Sequence, residues 1–117
     1  MKESPLRIKS FNLAVLIVEF CRKLSQEKKE FVLSKQLLRS GTNPGAMVRE
    51  AQNAESRKDF IHKLKIAQKE TSETMYWLEL LRESDLIEVE KYNQLHSLSK
   101  EVIKMIVSTV KTTSNKN

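Results

Sequence analysis

The chain has 117 residues, with only 2 Gly and 2 Pro among them, and a formal net charge of +6. So few turn-formers, and no period-2 runs of β-branched residues, exclude a β-rich fold and point to one all-α domain able to bury a core without staples. A single cysteine excludes an intramolecular disulfide, and no apolar run approaches the roughly 20 residues a membrane helix needs.

Helix one is predicted over about 5–26, with Ser4 as cap and Pro5 at the first helical position. The N-terminus MKESPLRIKSF lacks an apolar signal region, and Cys21 lies in an apolar run where a buried, inert thiol is expected, so the expected location is the cytoplasm. The centre of the helix, FNLAVLIVEFC, is apolar at nine of eleven positions. A bundle helix needs only a stripe, so the surplus is expected to meet another copy of the chain. The expected interface is Leu13, Leu16, Ile17 and Phe20 of this helix with Tyr76 and Leu80 of helix three.

Helix two is predicted over about 32–54, after the polar EKKE connection. Inside it, Gly41-Thr42-Asn43-Pro44-Gly45 is either a turn that splits the segment or a kink in one helix, and the kink is preferred. Gly41 and Gly45 share a face and would let a neighbouring backbone approach. Helix three, about 57–84, starts at Ser56, three residues before Asp59. Phe60, Leu64, Ala67, Thr71, Thr74, Leu78 and Leu81 repeat in steps of four and three, the seam of a bundle helix. On the opposite face Lys58, His62, Lys65 and Lys69 form one line, continued by Tyr76 and Leu80. Helix four is predicted over about 88–110, with Leu95, Leu98, Val102, Met105, Ile106 and Val110 inside and His96, Lys100, Lys104 and Lys111 outside. A disordered tail is expected at 112–117, leaving 1–111 as an antiparallel up-and-down four-helix bundle.

Charge is segregated along the chain. Residues 57–69 carry five basic and one acidic side chain, and residues 70–90 carry one basic and seven acidic. Short loops make neighbours antiparallel, so the starts of helices one and three and the end of helix four gather at one basic pole. In a cyclic oligomer several such poles lie side by side and sum their fields on a polyanion. The residues expected to hold nucleic acid are Arg7, Lys9, Lys58, Lys65, Lys69, Lys104 and Lys111. Arg49 and Glu50 are expected to pair with Glu70 and Glu73 in a polar network that fixes register.

Enzyme chemistry finds no carriers. His62, His96 and Cys21 do not make a zinc set, and Glu70 with Glu73 lacks the Glu-x-x-His partners of a bundle di-metal site. GTNPG lacks the Lys-Ser/Thr of a phosphate loop. No enzyme activity, metal or cofactor is expected, and a small-molecule carrier has little support because the seam reads as filled.

Ser34-Lys35-Gln36-Leu37-Leu38-Arg39-Ser40-Gly41 with Gly45-Ala46-Met47-Val48-Arg49-Glu50-Ala51 resembles the second helix of the bacterial four helix bundle proteins, which are encoded in intervening sequences of 23S rRNA. Asp59-Phe60, Lys63-Leu64-Lys65-Ile66-Ala67, Lys69-Glu70, Glu73 and Tyr76-Trp77-Leu78-Glu79-Leu80-Leu81 are similar to its third. The resemblance implies a ring-like homopentamer whose second helix is continuous through the GT-x-x-G segment. It also implies kinship with the basic accessory protein of diversity-generating retroelements, which binds nucleic acid and a reverse transcriptase. Met47 and Pro44 depart from the family's usual residues, which bears on local packing of helix two. The expected function is nucleic-acid binding through the basic pole, or else a scaffold or accessory subunit for a nucleic-acid enzyme such as a reverse transcriptase.

Overall fold

Ser4 opens the first helix: its side chain accepts the Arg7 backbone N–H at 3.1 Å, and Pro5 takes a position where no N–H is needed. The computed structural model describes residues 4–115. They form α1 (Pro5–Lys28), α2 (Val32–Gln52), α3 (Arg57–Glu83) and α4 (Val89–Ser114), with no strand among the described residues. The turns are closed without glycine. Lys29 and Asp85 take the left-handed region (φ 55° and 56°), which costs about 1–2 kcal/mol for a residue with a Cβ. Backbone bonds across each turn offset that cost, Glu30 N–H to the Leu24 carbonyl at 3.3 Å and Leu86 N–H to the Leu81 carbonyl at 2.9 Å. The EKKE connection also has a capping role, because the Glu30 carboxylate accepts the Leu33 N–H at 2.6 Å. At α3, Ser56 accepts the Asp59 N–H at 3.0 Å, as the spacing predicts.

α1 packs on α2, α2 on α3, α3 on α4 and α4 on α1, the last side being the thinnest; α1 and α3 lie on the diagonal. The result is an up-and-down four-helix bundle of 50 × 22 × 19 Å. Its centre is filled by Leu13, Ile17, Leu37, Leu64, Leu78, Leu81, Leu95, Val102 and Ile106. Leu13 and Ile17 were expected on an oligomer face. They are instead fully buried within the single chain, because the stripe of α1 turned inward is the one that meets the glycines of α2. Leu16 and Phe20 are half-buried against the core. Buried hydroxyls find acceptors or one another: Ser34 Oγ donates to the Cys21 carbonyl (3.1 Å), Thr71 Oγ1 to the Ala67 carbonyl (2.7 Å) and Thr74 Oγ1 lies 3.0 Å from Ser40 Oγ.

α2 runs continuously through Gly41–Gly45, with Pro44 buried inside it. Two glycines and a proline disfavour a helix by several kcal/mol in propensity, so tertiary packing must compensate. The glycine face supplies that packing. A Cβ on Gly41 would sit 2.8 Å from both Cγ1 and Cγ2 of Ile17, and one on Gly45 would sit 3.3 Å from the Ser10 carbonyl oxygen. Ile17 is β-branched and stiff at χ1, so it has no easy retreat. Gly41→Ala is therefore expected to destabilise the fold by about 1–2 kcal/mol despite alanine's better helix propensity, read as a lower urea midpoint at unchanged slope. An unchanged or raised midpoint would show that α1 and α2 are not in this close contact.

Residues 112–114, expected in a disordered tail, are helical. Val110 and Thr113, one turn apart and both half-buried, keep the last turn on the bundle, and α4 reaches Ser114. Lys116 and Asn117 lie outside the described residues. No helix among the described residues is long and apolar enough to cross a membrane.

Candidate nucleic-acid interface

The antiparallel register sets which charges share an end. Arg7 Nη1 donates to Gln52 Oε1 at 2.8 Å, Lys63 pairs with Glu50 at 3.1 Å and Lys9 with Glu101 at 2.7 Å. These three contacts tie the start of α1, the end of α2, the start of α3 and the middle of α4 together. Between α3 and α4, His96 Nε2 lies 3.0 Å from Glu79, and the Arg82 guanidinium sits 4.9 Å above the Tyr92 ring. That register runs the C-terminal half of α4 beside the N-terminal half of α3. Glu79, Glu83, Asp85, Glu88 and Glu90 fall at the opposite end.

The seven basic residues expected to hold nucleic acid divide into two groups. Lys58, Lys65 and Lys69 on α3, and Lys104 and Lys111 on α4, are exposed and make no ion pair among the described residues. Arg7 and Lys9 stand on α1 and are already engaged, Arg7 with Gln52 and Lys9 with Glu101. A phosphate would have to displace Glu101 from Lys9, whereas the five free lysines need only shed water and counterions. Lys63 is likewise occupied: the hydrogen bond it donates to Glu50 raises its proton affinity, and the Glu50 charge adds to the effect.

The polar network differs from the expected one in its arginine. Arg49 does not reach Glu70 or Glu73; its guanidinium lies 5.1 Å from the centre of the Phe11 ring. Arg39 takes the role, donating to Glu70 at 2.8 Å and pairing with Glu73 as well. In an antiparallel pair the middle of α2 faces the middle of α3, so Arg39 stands opposite Glu70 while Glu50 stands opposite Lys63. Glu73 also accepts the Trp77 indole N–H at 3.2 Å.

The apolar surplus of α1 emerges at residues the sequence reading passed over. Ile8, Phe11 and Val15 are 45%, 50% and 40% exposed and lie three and four apart on one outer stripe. Tyr76 is 56% exposed but stands on α3, diagonal to α1, and Leu80 beside it is half-buried. The seam is also less filled than the sequence suggests. A cleft of about 540 Å³, lined chiefly by Pro5, Leu6, Val48, Phe60, Leu64 and Met105, opens at the basic end, where α1 and α4 pack most thinly. Burial pushes the Cys21 thiol up to about 11, which leaves it protonated and unreactive near neutral pH. No three of His, Cys, Asp or Glu converge as a metal site among the described residues.

A family model described as 23S rRNA-intervening sequence protein matches residues 3–108. Among solved structures, the chain is similar to a protein of unknown function from the S23 ribosomal protein family of Bacteroides thetaiotaomicron. The two are 50% identical with a TM-score of 0.90, over 91% of this chain and 98% of that one. No curated protein matches.

Proposed function

This chain belongs to the 23S rRNA-intervening sequence protein family, and from that premise we propose that it is a self-associating, non-enzymatic bundle that grips nucleic-acid backbone through its basic end in the cytoplasm. The observation that carries the reading is the set of unpaired lysines, Lys58, Lys65, Lys69, Lys104 and Lys111, on two adjacent helices in one half of the bundle. Lysines without carboxylate partners are the arrangement a polyphosphate neutralises by releasing counterions. Self-association rests on Ile8, Phe11 and Val15, an apolar ridge that a second copy would cover. A ring, as in the homopentamer that family resemblance implies, would set several basic ends side by side and multiply the field.

Neutralising about five phosphates gives a slope of log K against log salt near −3.5 for single strands and near −4.5 for duplex. Titrating labelled RNA at several salt concentrations checks this, and undetectable binding at low salt refutes the reading. A second reading, an accessory subunit or scaffold for a nucleic-acid enzyme such as a reverse transcriptase, is favoured by a different feature. Phe31, Val32 and Val89 are exposed at the end away from these five lysines, where a protein partner would find apolar anchors.

A further inference from the structure

We propose that the outer face of α3 is a track for single-stranded nucleic acid, with Tyr76 as the platform on which a base stacks at its end. This rests on the nucleic-acid reading above and narrows it to a class of substrate. Lys58, His62, Lys65, Lys69, Ser72 and Tyr76 follow one another in steps of four and three, and all are exposed. At 1.5 Å per residue they form a straight row of roughly 27 Å.

The shape of the row selects the strand. α3 is embedded between α2 and α4 in a bundle with a cross-section of 22 × 19 Å. The major groove of B-DNA is about 12 Å wide, and that of A-form RNA is narrow and deep, so neither admits this helix with its neighbours attached. A duplex laid on the convex ridge meets it at one crossing and reaches few of its cations. A single strand is flexible enough to follow the whole row and to turn a base outward at its end.

Tyr76 is built for that end. Its ring packs edge-on to Trp77, with centroids 5.1 Å apart and planes at 66°. Trp77 is fixed by its indole N–H to Glu73, and Glu73 is held by Arg39. The phenol ring is thus backed by a fixed partner, while Tyr76 as a residue is 56% exposed. Beyond it Glu79 and Glu83 are exposed on the same helix and repel phosphate, which ends the track at the aromatic.

The test is a low-salt anisotropy titration of the full chain with labelled oligo(U), oligo(dT), duplex RNA and duplex DNA of equal length. Both single strands are expected to bind at least about tenfold tighter than either duplex, and oligo(U) above oligo(dT) would mark RNA as the source. Tyr76→Ala is expected to weaken the single strands about tenfold, leaving the duplexes and the salt slope unchanged, while Tyr76→Phe retains binding. Equal affinity for strand and duplex, with the salt slope intact, overturns the track and leaves the broader reading standing. No binding of any probe removes both. A fall in assembled mass in Tyr76→Ala makes the ring an interface group and overturns its stacking role.

Discussion

Ile17→Ala is expected to remove about 2–5 kcal/mol of folding stability, the range for truncating a fully buried aliphatic side chain. Ile17 has no exposed surface, and it fills the space that Gly41 leaves open on α2. Removing its branches creates a cavity in the close contact between α1 and α2. Against a total of about 5–15 kcal/mol for a domain, the loss is large enough to move a urea or thermal midpoint far outside error. Phe11→Glu is expected to do the reverse. Its ring is half-exposed, so the fold should lose about 1 kcal/mol or less, mainly the contact with Arg49. The assembled mass, however, should fall, because a carboxylate cannot be desolvated cheaply in the middle of an apolar ridge. Folding should be followed at several protein concentrations, since association contributes to apparent stability. If Ile17→Ala is as mild as a surface change, or Phe11→Glu keeps the parental mass, the division of α1 into a core stripe and an outer ridge is wrong.

Replacing Lys58, Lys65 and Lys69 together by Gln should weaken binding of a single strand about 100-fold at 0.1 M salt and make the salt slope shallower by about 2. Each lost phosphate contact takes about 0.7 log units at that salt concentration, and three lost contacts compound. The fold should survive, because all three are exposed and none has an ion-pair partner to orphan. The informative control changes the net charge equally at the other end, replacing Lys23, Lys28 and Lys35 by Gln. That variant should keep the parental slope. If both triple variants lose affinity alike, binding follows net charge alone and no basic end exists in the functional sense.

How much of this was readable beforehand depends on the range of the interaction involved. The seam of α3 was legible from Phe60 to Leu81 because a repeat of three and four is a property of one helix by itself. Ser4 and Ser56 were legible as caps for the same reason: the acceptor and the N–H it satisfies lie three residues apart. Glu30 capping α2 was also local, but a carboxylate within a charged connection looks like solvated polarity until the chain is seen to fold back.

The order along the chain determined that there are four helices, that neighbours run antiparallel, and that the lysines of 57–69 and 100–111 share one half of the molecule, since short connections leave no other arrangement. It did not determine which side of α1 turns inward. A helix that is apolar nearly all round offers several equivalent stripes, and the choice fell to the close approach of Gly41 and Gly45, which takes Leu13 and Ile17 into the core and leaves Ile8, Phe11 and Val15 outside. Nor did it determine that Arg39 rather than Arg49 meets Glu70 and Glu73. Partners across two helices depend on their axial offset to within one turn, and that offset is set by how whole surfaces interlock, not by any pattern within a single segment.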